Sequence, residues 1–285
     1  MKGWKIAMEI TFSLFPKFYK HLSPRQLAAL VREVGLDTTN VVIREGYWVT
    51  HERLAEELPA FMKAMREEGL DVRFATADLP SERLLADPTP LRILADNGVR
   101  EFRLAYFHVR DGDPRASLVW AREQLERLAP ICESHGIRAV YQLHAGTLIT
   151  NPSAAWHIVN GLPSQWIGVE IDPGNQANEG FENWNRSALL LREYIVAAGI
   201  KDVVIIRNDA HADDPDKGWR KSLAPLYEGV TNWYDFMRAL AAIDFAGTFV
   251  FMPFYDENDP ETMTKKLKRE VEYLRNIVAA VTSES

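Results

Sequence analysis

Residues 115–134, RASLVWAREQLERLAPICES, and residues 138–144, RAVYQLH, decide the fold between them. In the first stretch Leu118, Ala121, Leu125 and Leu128 recur at helical spacing, and Gly136 stands just past the end, where a helix commonly turns left-handed. The second is a short apolar run rich in β-formers. Working outward, the same pairing recurs about every 30 to 45 residues, the length of a strand–loop–helix–loop unit. The β-rich runs are Lys5–Ile10, Asn40–Arg44, Val72–Thr76, Glu101–Phe107, Arg138–His144, Ile167–Asp172, Asp202–Arg207 and Gly247–Pro253. The stretches between them read as helices. One starts at Ser23-Pro24 with Leu27, Leu30, Val31 and Val34 on one face. Glu52 to Glu68 carries Leu54, Leu58, Phe61, Met62 and Met65. Residues 232–242 and 260–281 supply the last two.

Strands that alternate with helices form a parallel sheet. Eight units favour a closed (β/α)8 TIM barrel, which typically takes ~250 residues; this chain has 285. A doubly wound open sheet is the alternative. It is disfavoured because no Gly-x-Gly-x-x-Gly follows the first strand and no phosphate-binding Gly-x-x-x-x-Gly-Lys-Ser/Thr occurs. With no Pro/Ser-rich linker, residues 1–285 are expected to form a single domain.

Composition narrows the function. Eight Trp and thirteen Phe are too many apolar anchors for a disordered chain, and one cysteine, Cys132, excludes a disulfide scaffold. A net charge of −7 argues against nucleic acid and anionic membranes as partners. The N-terminus has no signal-peptide pattern and no apolar run is long enough to span a bilayer, so a soluble cytoplasmic protein is expected.

A (β/α)8 barrel keeps its chemistry at the C-terminal ends of its strands, and polar residues gather there. They are Arg44 and Glu45, Asp78, Arg103 with Tyr106, Gln142 and His144, Asp172 and Asn175, then Arg207, Asn208, Asp209 and His211, and finally Tyr255 with Asp256 and Glu257. Gln142, His144 and Asp172 interrupt strongly apolar strands. His144 and Asp172 read either as an acid–base pair or as a brace between strand ends. Arg44, Arg103 and Arg207 suit an anionic substrate, although Asp209 or Asp172 equally suits Arg207 as a partner. Trp48, Trp219, Tyr106 and Tyr255 suit a sugar face or simply cover the barrel top. Asp78 and Asn208 read equally well as loop caps, His135 as a helix-end residue, and Cys132 as core; His21, His51 and His157 are expected to face solvent. Residues 211–219 read as a lid or a solvated loop.

Taken in order, these motifs resemble the xylose isomerase-like family of barrels over nearly the whole chain. Val42-Ile43-Arg44-Glu45-Gly46 is similar to its second strand end, and Val140-Tyr141-Gln142-Leu143-His144-Ala145-Gly146-Thr147 to its fifth. Gly168-Val169-Glu170-Ile171-Asp172-Pro173-Gly174-Asn175 is similar to its sixth, and Pro225-Leu226-Tyr227-Glu228-Gly229-Val230 to the loop before its seventh helix. The resemblance implies a sugar, polyol or keto-acid isomerase or epimerase working by proton transfer beside a carbonyl, a small-molecule partner, and often a homodimer. Metal-dependent members hold a divalent ion with Glu, Asp, His and Glu from strands five to eight. Here those positions read Gln142, Asp172, Ile206 and Met252. Only Asp172 and Gln142 remain as ligands, so the expectation is no cofactor or a weakly bound Mn, Mg or Zn. Gln142 and Met252 exchange no proton, so the family's two-glutamate mechanism is absent. The residues favoured for catalysis are His144, Asp172, Gln142 and His211. For substrate binding they are Arg44, Glu45, Arg103, Asn175, Arg207, Asn208, Asp209, Trp219 and Tyr255. A metal-free lyase or dehydratase also fits. The rival reading is a metal-free carbohydrate- or small-molecule-binding protein that kept the barrel and lost the chemistry. A DNA endonuclease is disfavoured, because it needs several metal ligands and a basic face.

Overall fold

The computed structural model describes residues 8–179, 182–207, 213, 218–256 and 258–284. Its strands are β1 (Glu9–Leu14), β2 (Thr38–Thr39), β3 (Val41–Val42), β4 (Phe74–Leu79), β5 (Glu101–Leu104), β6 (Arg138–Gln142), β7 (Ile167–Ile171), β8 (Ile195–Ile200), β9 (Asp202–Arg207), β10 (Trp219–Ala224) and β11 (Ala246–Phe251). Nine of them pair in the order β2-β1-β11-β8-β7-β6-β5-β4-β3, all parallel. Since β2 and β3 are one strand interrupted at Asn40, the sheet closes into an eight-stranded (β/α)8 barrel. Asn40 is fully buried and ties its neighbours together, accepting from Ser13 Oγ at 2.6 Å and donating to Thr76 Oγ1 at 3.3 Å.

The outer helices are α1 (Pro24–Glu33), α2 (Leu54–Glu67), α3 (Ser81–Ala86), α4 (Thr89–Asp96), α5 (Pro114–His135), α6 (Pro152–Val159), α7 (Pro173–Glu179), α8 (Trp184–Leu191), α9 (Trp233–Ala241) and α10 (Pro260–Glu284). Five of them begin with a Ser, Asp or Asn followed by Pro. Side-chain oxygens of Ser23, Asp113, Asn151, Asp172 and Asp259 each accept a backbone N–H of the first turn, while the proline ring fixes φ where no N–H is needed. The apolar stripes bury as expected: Leu27, Leu30, Val31 and Val34 on α1, and Leu54, Leu58, Phe61, Met62 and Met65 on α2.

The first strand runs from Glu9 to Leu14 rather than ending at Ile10, and the third from Phe74 to Leu79 rather than ending at Thr76. The larger correction concerns strand seven. The barrel strand is β8, Ile195–Ile200, whereas Asp202–Arg207 pairs antiparallel with Trp219–Ala224 in a hairpin outside the barrel. Val203-Val204-Ile205-Ile206 has the stronger β-propensity, but Ile195-Val196-Ala197-Ala198-Gly199-Ile200 is the run small enough to pack between β7 and β11. A Cβ on Gly247 of β11 would stand 2.0 Å from the Val196 carbonyl oxygen, so these strands approach too closely for any side chain there.

The hairpin starts from a buried anchor. Asp202 accepts from the Thr231 hydroxyl at 3.0 Å and from the Trp233 indole at 2.9 Å, and this fixes the loop that leads into α9. The other end of that loop is held by Glu270 of α10, which accepts the Leu226 N–H at 2.8 Å and the Tyr255 hydroxyl. Among the described residues no helix is long and apolar enough to cross a membrane.

Candidate active site

At the C-terminal end of the barrel, β4, β5, β6, β7 and β8 deliver a continuous polar chain. Asp78 sits between two guanidiniums, with Oδ2 2.5 Å from Arg44 Nε and Oδ1 2.5 Å from Arg103 Nη2. Burial alone would raise the Asp78 pKa, but Arg103 and Arg44 outweigh it and hold the carboxyl below its ordinary range. Arg103 continues the chain through Nη1 to Gln142 Oε1 at 2.9 Å, and the Tyr106 hydroxyl donates to the same oxygen at 2.6 Å. With Oε1 so engaged, the Gln142 amide nitrogen faces Asp172 Oδ2 at 2.6 Å. That oxygen also receives Asn175 Nδ2 at 2.8 Å and the Lys201 ammonium at 3.1 Å, and Oδ1 takes the Asn175 backbone N–H at 2.9 Å. Asp172 is therefore both the cap of α7 and the hub of the site.

Gly199 makes room for this hub. A Cβ there would lie 2.6 Å from Asp172 Oδ2 and 3.2 Å from Glu170 Oε1. Glu170, one turn of pleat deeper, is 1% exposed, and its Oε1 has no hydrogen-bond partner. Burial pushes its pKa up to about 8 against the pull of Arg103, so at neutral pH it is mostly the uncharged acid.

Two adjoining cavities of about 210 and 290 Å³ open above these groups and share Lys17, His144, Lys201 and Phe254. Arg44, Arg103 and Lys221 also line them, and among the described residues no Asp or Glu does. A chain with a net charge of −7 thus presents a basic mouth. A further cavity of about 740 Å³ lies at the opposite end, between the starts of the strands at Thr11, Arg73, Arg100 and Arg138. In this fold that end serves stability.

His144 stacks against Tyr106 with ring centres 4.5 Å apart. Its Nδ1 lies 2.8 Å from the Ala145 carbonyl oxygen. A carbonyl only accepts, so Nδ1 carries the proton. Burial and the Lys201 cation lower the ring's pKa, which leaves Nε2 with a free lone pair at neutral pH.

Of the residues expected at the site, Arg44, Arg103, Gln142, His144, Asp172 and Asn175 are brought together. Asp172 pairs with Lys201 and the amides, so the His144–Asp172 contact that both readings of these two residues called for, acid–base pair or brace, does not form. Glu45 is exposed and lines neither cavity. Tyr255 is only 8% exposed and binds Glu270 away from the mouth. Trp48 donates to the Leu22 carbonyl and packs on Phe61. Arg207 and Trp219 face each other on the outer hairpin, the guanidinium 5.9 Å from the ring centre. His51 is half-buried rather than solvent-facing. Asn208, Asp209, His211 and Glu257 lie outside the described residues, as does most of the expected lid. Asp78, read equally well as a loop cap, joins the site between the two guanidiniums, whereas Lys201, Glu170 and Gly199 were not expected as site residues. The signal for Lys201 was its place immediately after a barrel strand, which depends on knowing which run is that strand.

The corrected strand also changes the metal comparison. The strand-seven residue beside Asp172 is Gly199, not Ile206. At the end of the eighth barrel strand stands Met252, whose sulfur lies 3.8 Å from Gln142 Nε2. Among the described residues no three His, Cys, Asp or Glu side chains gather to hold an ion. The donor set does not fit a divalent metal, because each Asp172 oxygen already faces N–H donors and one of these is an ammonium.

The fold and this mouth define a (β/α)8 barrel with a polar pocket at the C-terminal ends of its strands. Residues 91–277 match the family model described as xylose isomerase-like TIM barrel, and the chain belongs to that family. A sequence search of curated proteins finds no match. Among solved structures, D-psicose 3-epimerase in the presence of D-fructose matches with a TM-score of 0.70 at 12% identity, over 94% of this chain and 99% of that one. A xylose isomerase-like TIM barrel protein from Mycobacterium smegmatis, in complex with magnesium, matches with a TM-score of 0.67 at 16% identity, over 98% and 99%. A probable 3-DHS dehydratase of Bacillus anthracis matches with a TM-score of 0.67 at 16% identity, over 93% and 98%. At these identities the likeness is one of fold.

Proposed function

We propose that the protein is a metal-independent proton-transfer enzyme of the isomerase or dehydratase type, acting on a small oxygen-rich substrate such as a sugar, polyol or keto-acid. The observation that carries this reading is the neutral His144, its Nδ1–H held by a backbone carbonyl and its Nε2 available in a cavity shared with Lys201. Nε2 takes the proton from the carbon beside the carbonyl, and the electron pair moves onto the carbonyl oxygen, held by a cation of the mouth. In an isomerisation the hydroxyl proton on the deprotonated carbon passes to that oxyanion as the new carbonyl forms, and His144 returns its proton to the former carbonyl carbon; in a dehydration the enolate re-forms its carbonyl as the β C–O bond breaks, and His144 protonates the departing hydroxyl. His144 is the one imidazole lining the cavity among the described residues. A single base on one face serves a 1,2-shift or a syn elimination. Inversion at carbon needs a second proton carrier on the other face, and Gln142 and Met252 provide none.

The family and the sugar-acting proteins that share its fold support the substrate class. The replacement of both proton-exchanging positions by Gln142 and Met252 favours the rival reading, a binding protein without chemistry. Solvent exchange separates them. Incubation in D2O with a panel of ketoses, polyols, and 2-keto and 2-hydroxy acids, followed by proton NMR, should show catalysed loss of one C–H signal that His144→Ala abolishes. Saturable binding without exchange leaves the binding protein.

A further inference from the structure

The cation that holds the substrate's oxygens can be named, and with it the substrate class; this step rests on the proton-transfer reading above. Lys201 is 7% exposed, reaches Asp172 with its ammonium, and forms part of the wall of both mouth cavities. Asp172 takes one of its three N–H donors, leaving two for a ligand. Phe254 stands 5.7 Å from the ammonium, and Phe15 lines the same cavity.

Three neighbouring residues agree with a fixed ammonium and conflict with a bound metal. Gly199 supplies no ligand and leaves the space that Asp172 fills. Gln142 presents an amide N–H to Asp172, where a glutamate would repel it unless a cation stood between them. Met252 adds only a thioether sulfur beside that amide. We propose that the Lys201 ammonium replaces the divalent ion of metal-dependent relatives, and that it grips the carboxylate and adjacent oxygen of a small 2-keto or 2-hydroxy acid. Arg44, Arg103 and Lys201 share two carboxylates, Asp78 and Asp172, so an anionic ligand supplies a counter-charge that a neutral sugar lacks. Two adjacent anionic oxygens match two N–H donors on one nitrogen, with Arg44 at the rim to take an outer oxygen.

The probe is oxalate, whose two adjacent oxyanions mimic that arrangement, titrated calorimetrically into EDTA-treated protein. Saturable binding without metal is expected, weakened at least tenfold by Lys201→Met and less by Lys201→Arg. Asp172→Asn removes the carboxylate that sets the ammonium's position and should weaken binding by less than Lys201→Met, because the cation itself remains; a metal ligand at that position would lose binding altogether. Mn²⁺ added alone should leave its free-ion EPR signal intact. The inference is overturned if oxalate does not bind without Mn²⁺, if Lys201→Met binds it unchanged, or if Asp172→Asn abolishes binding. Should Lys201→Met fail to fold by circular dichroism, Lys201→Arg and Asp172→Asn decide. Lys201-dependent binding with no deuterium exchange on any substrate would uphold this inference and remove the proton-transfer reading. Exchange that persists in Lys201→Met would do the reverse.

Discussion

Lys201 Nζ lies 3.1 Å from Asp172 Oδ2, with the two side chains 7% and 0% exposed. A pair so buried adds little net stability, because both ions lose their hydration; removing one partner alone is what destabilises. The Asp172 carboxylate offsets that loss with three further N–H bonds, from Gln142 and from the side chain and backbone of Asn175. The arrangement makes sense as a way of holding a positive charge at the barrel mouth in a set position.

Asp78 holds two guanidiniums, of which Arg103 is 3% exposed. Asp78→Ala leaves the Arg103 cation buried without its carboxylate and should cost about 3 kcal/mol, at the lower end for breaking a buried pair because Asp78 is itself a quarter exposed. Urea denaturation at neutral pH measures it. Because the folded pKa of Asp78 is depressed, its contribution is present above the unfolded carboxylate pKa near 3.9 and is lost as pH falls through the folded value. Destabilisation by the mutation should therefore shrink on acidification below about pH 4.

His144 works as a base only when unprotonated, and its pKa lies below the ordinary 6.5. Exchange or turnover should rise with pH on a limb below 6.5 and be flat above it until another group titrates. His144→Gln should remove the limb and lower the rate by roughly 10²–10⁴. A limb centred above 6.5 contradicts the assignment.

Glu170 has the opposite linkage from Asp78. Its folded pKa is raised to about 8, so between the unfolded value near 4.3 and 8 the folded state keeps a proton that the unfolded state releases. Stability should fall as pH rises through that window and level off above it. Glu170→Gln removes the penalty and should be more stable than the parent at pH 8 by roughly 2 kcal/mol or more, with little difference at pH 5. Melting temperatures of both proteins from pH 5 to 8.5 give the comparison.

Gly199→Ala drives a methyl group against Asp172, whose oxygens are tied by four donors and cannot swing away. The expected loss is about 1–3 kcal/mol, as for other overpacked sites, together with lost oxalate binding. Gly247→Ala meets a backbone carbonyl at 2.0 Å and should destabilise more. It should leave oxalate affinity unchanged in whatever fraction folds, because Gly247 lines neither mouth cavity. Denaturation and calorimetry on the two variants separate a site effect from a strand-packing effect.

Much of this architecture can be read from local patterning. The α1 stripe Leu27, Leu30, Val31 and Val34, the capped prolines at Ser23-Pro24 and Asp172-Pro173, and the alternation of β-rich runs with helices act over a few residues, so the chain carries them explicitly. Gln142, His144 and Asp172 could be picked out because a polar side chain inside an apolar strand needs a partner to be buried. The strand-seven register could not. Val203-Val204-Ile205-Ile206 has the stronger local preference, and the barrel took the smaller Ile195–Ile200 run because of its fit between β7 and β11.

The sequence by itself determined the barrel class, the end of the barrel where chemistry belongs, and the amide and thioether side chains that stand there at Gln142 and Met252. Tertiary structure decided what surrounds them. Once β8 is the seventh barrel strand, Gly199 faces Asp172 and Lys201 swings into the mouth, while Arg207 is left on an outer hairpin. Asp78, 25 residues from Arg103 and 34 from Arg44, joins the two only across adjacent strands. Side-chain charges act through distance in space, and that distance depends on strand register, which local sequence preference does not specify.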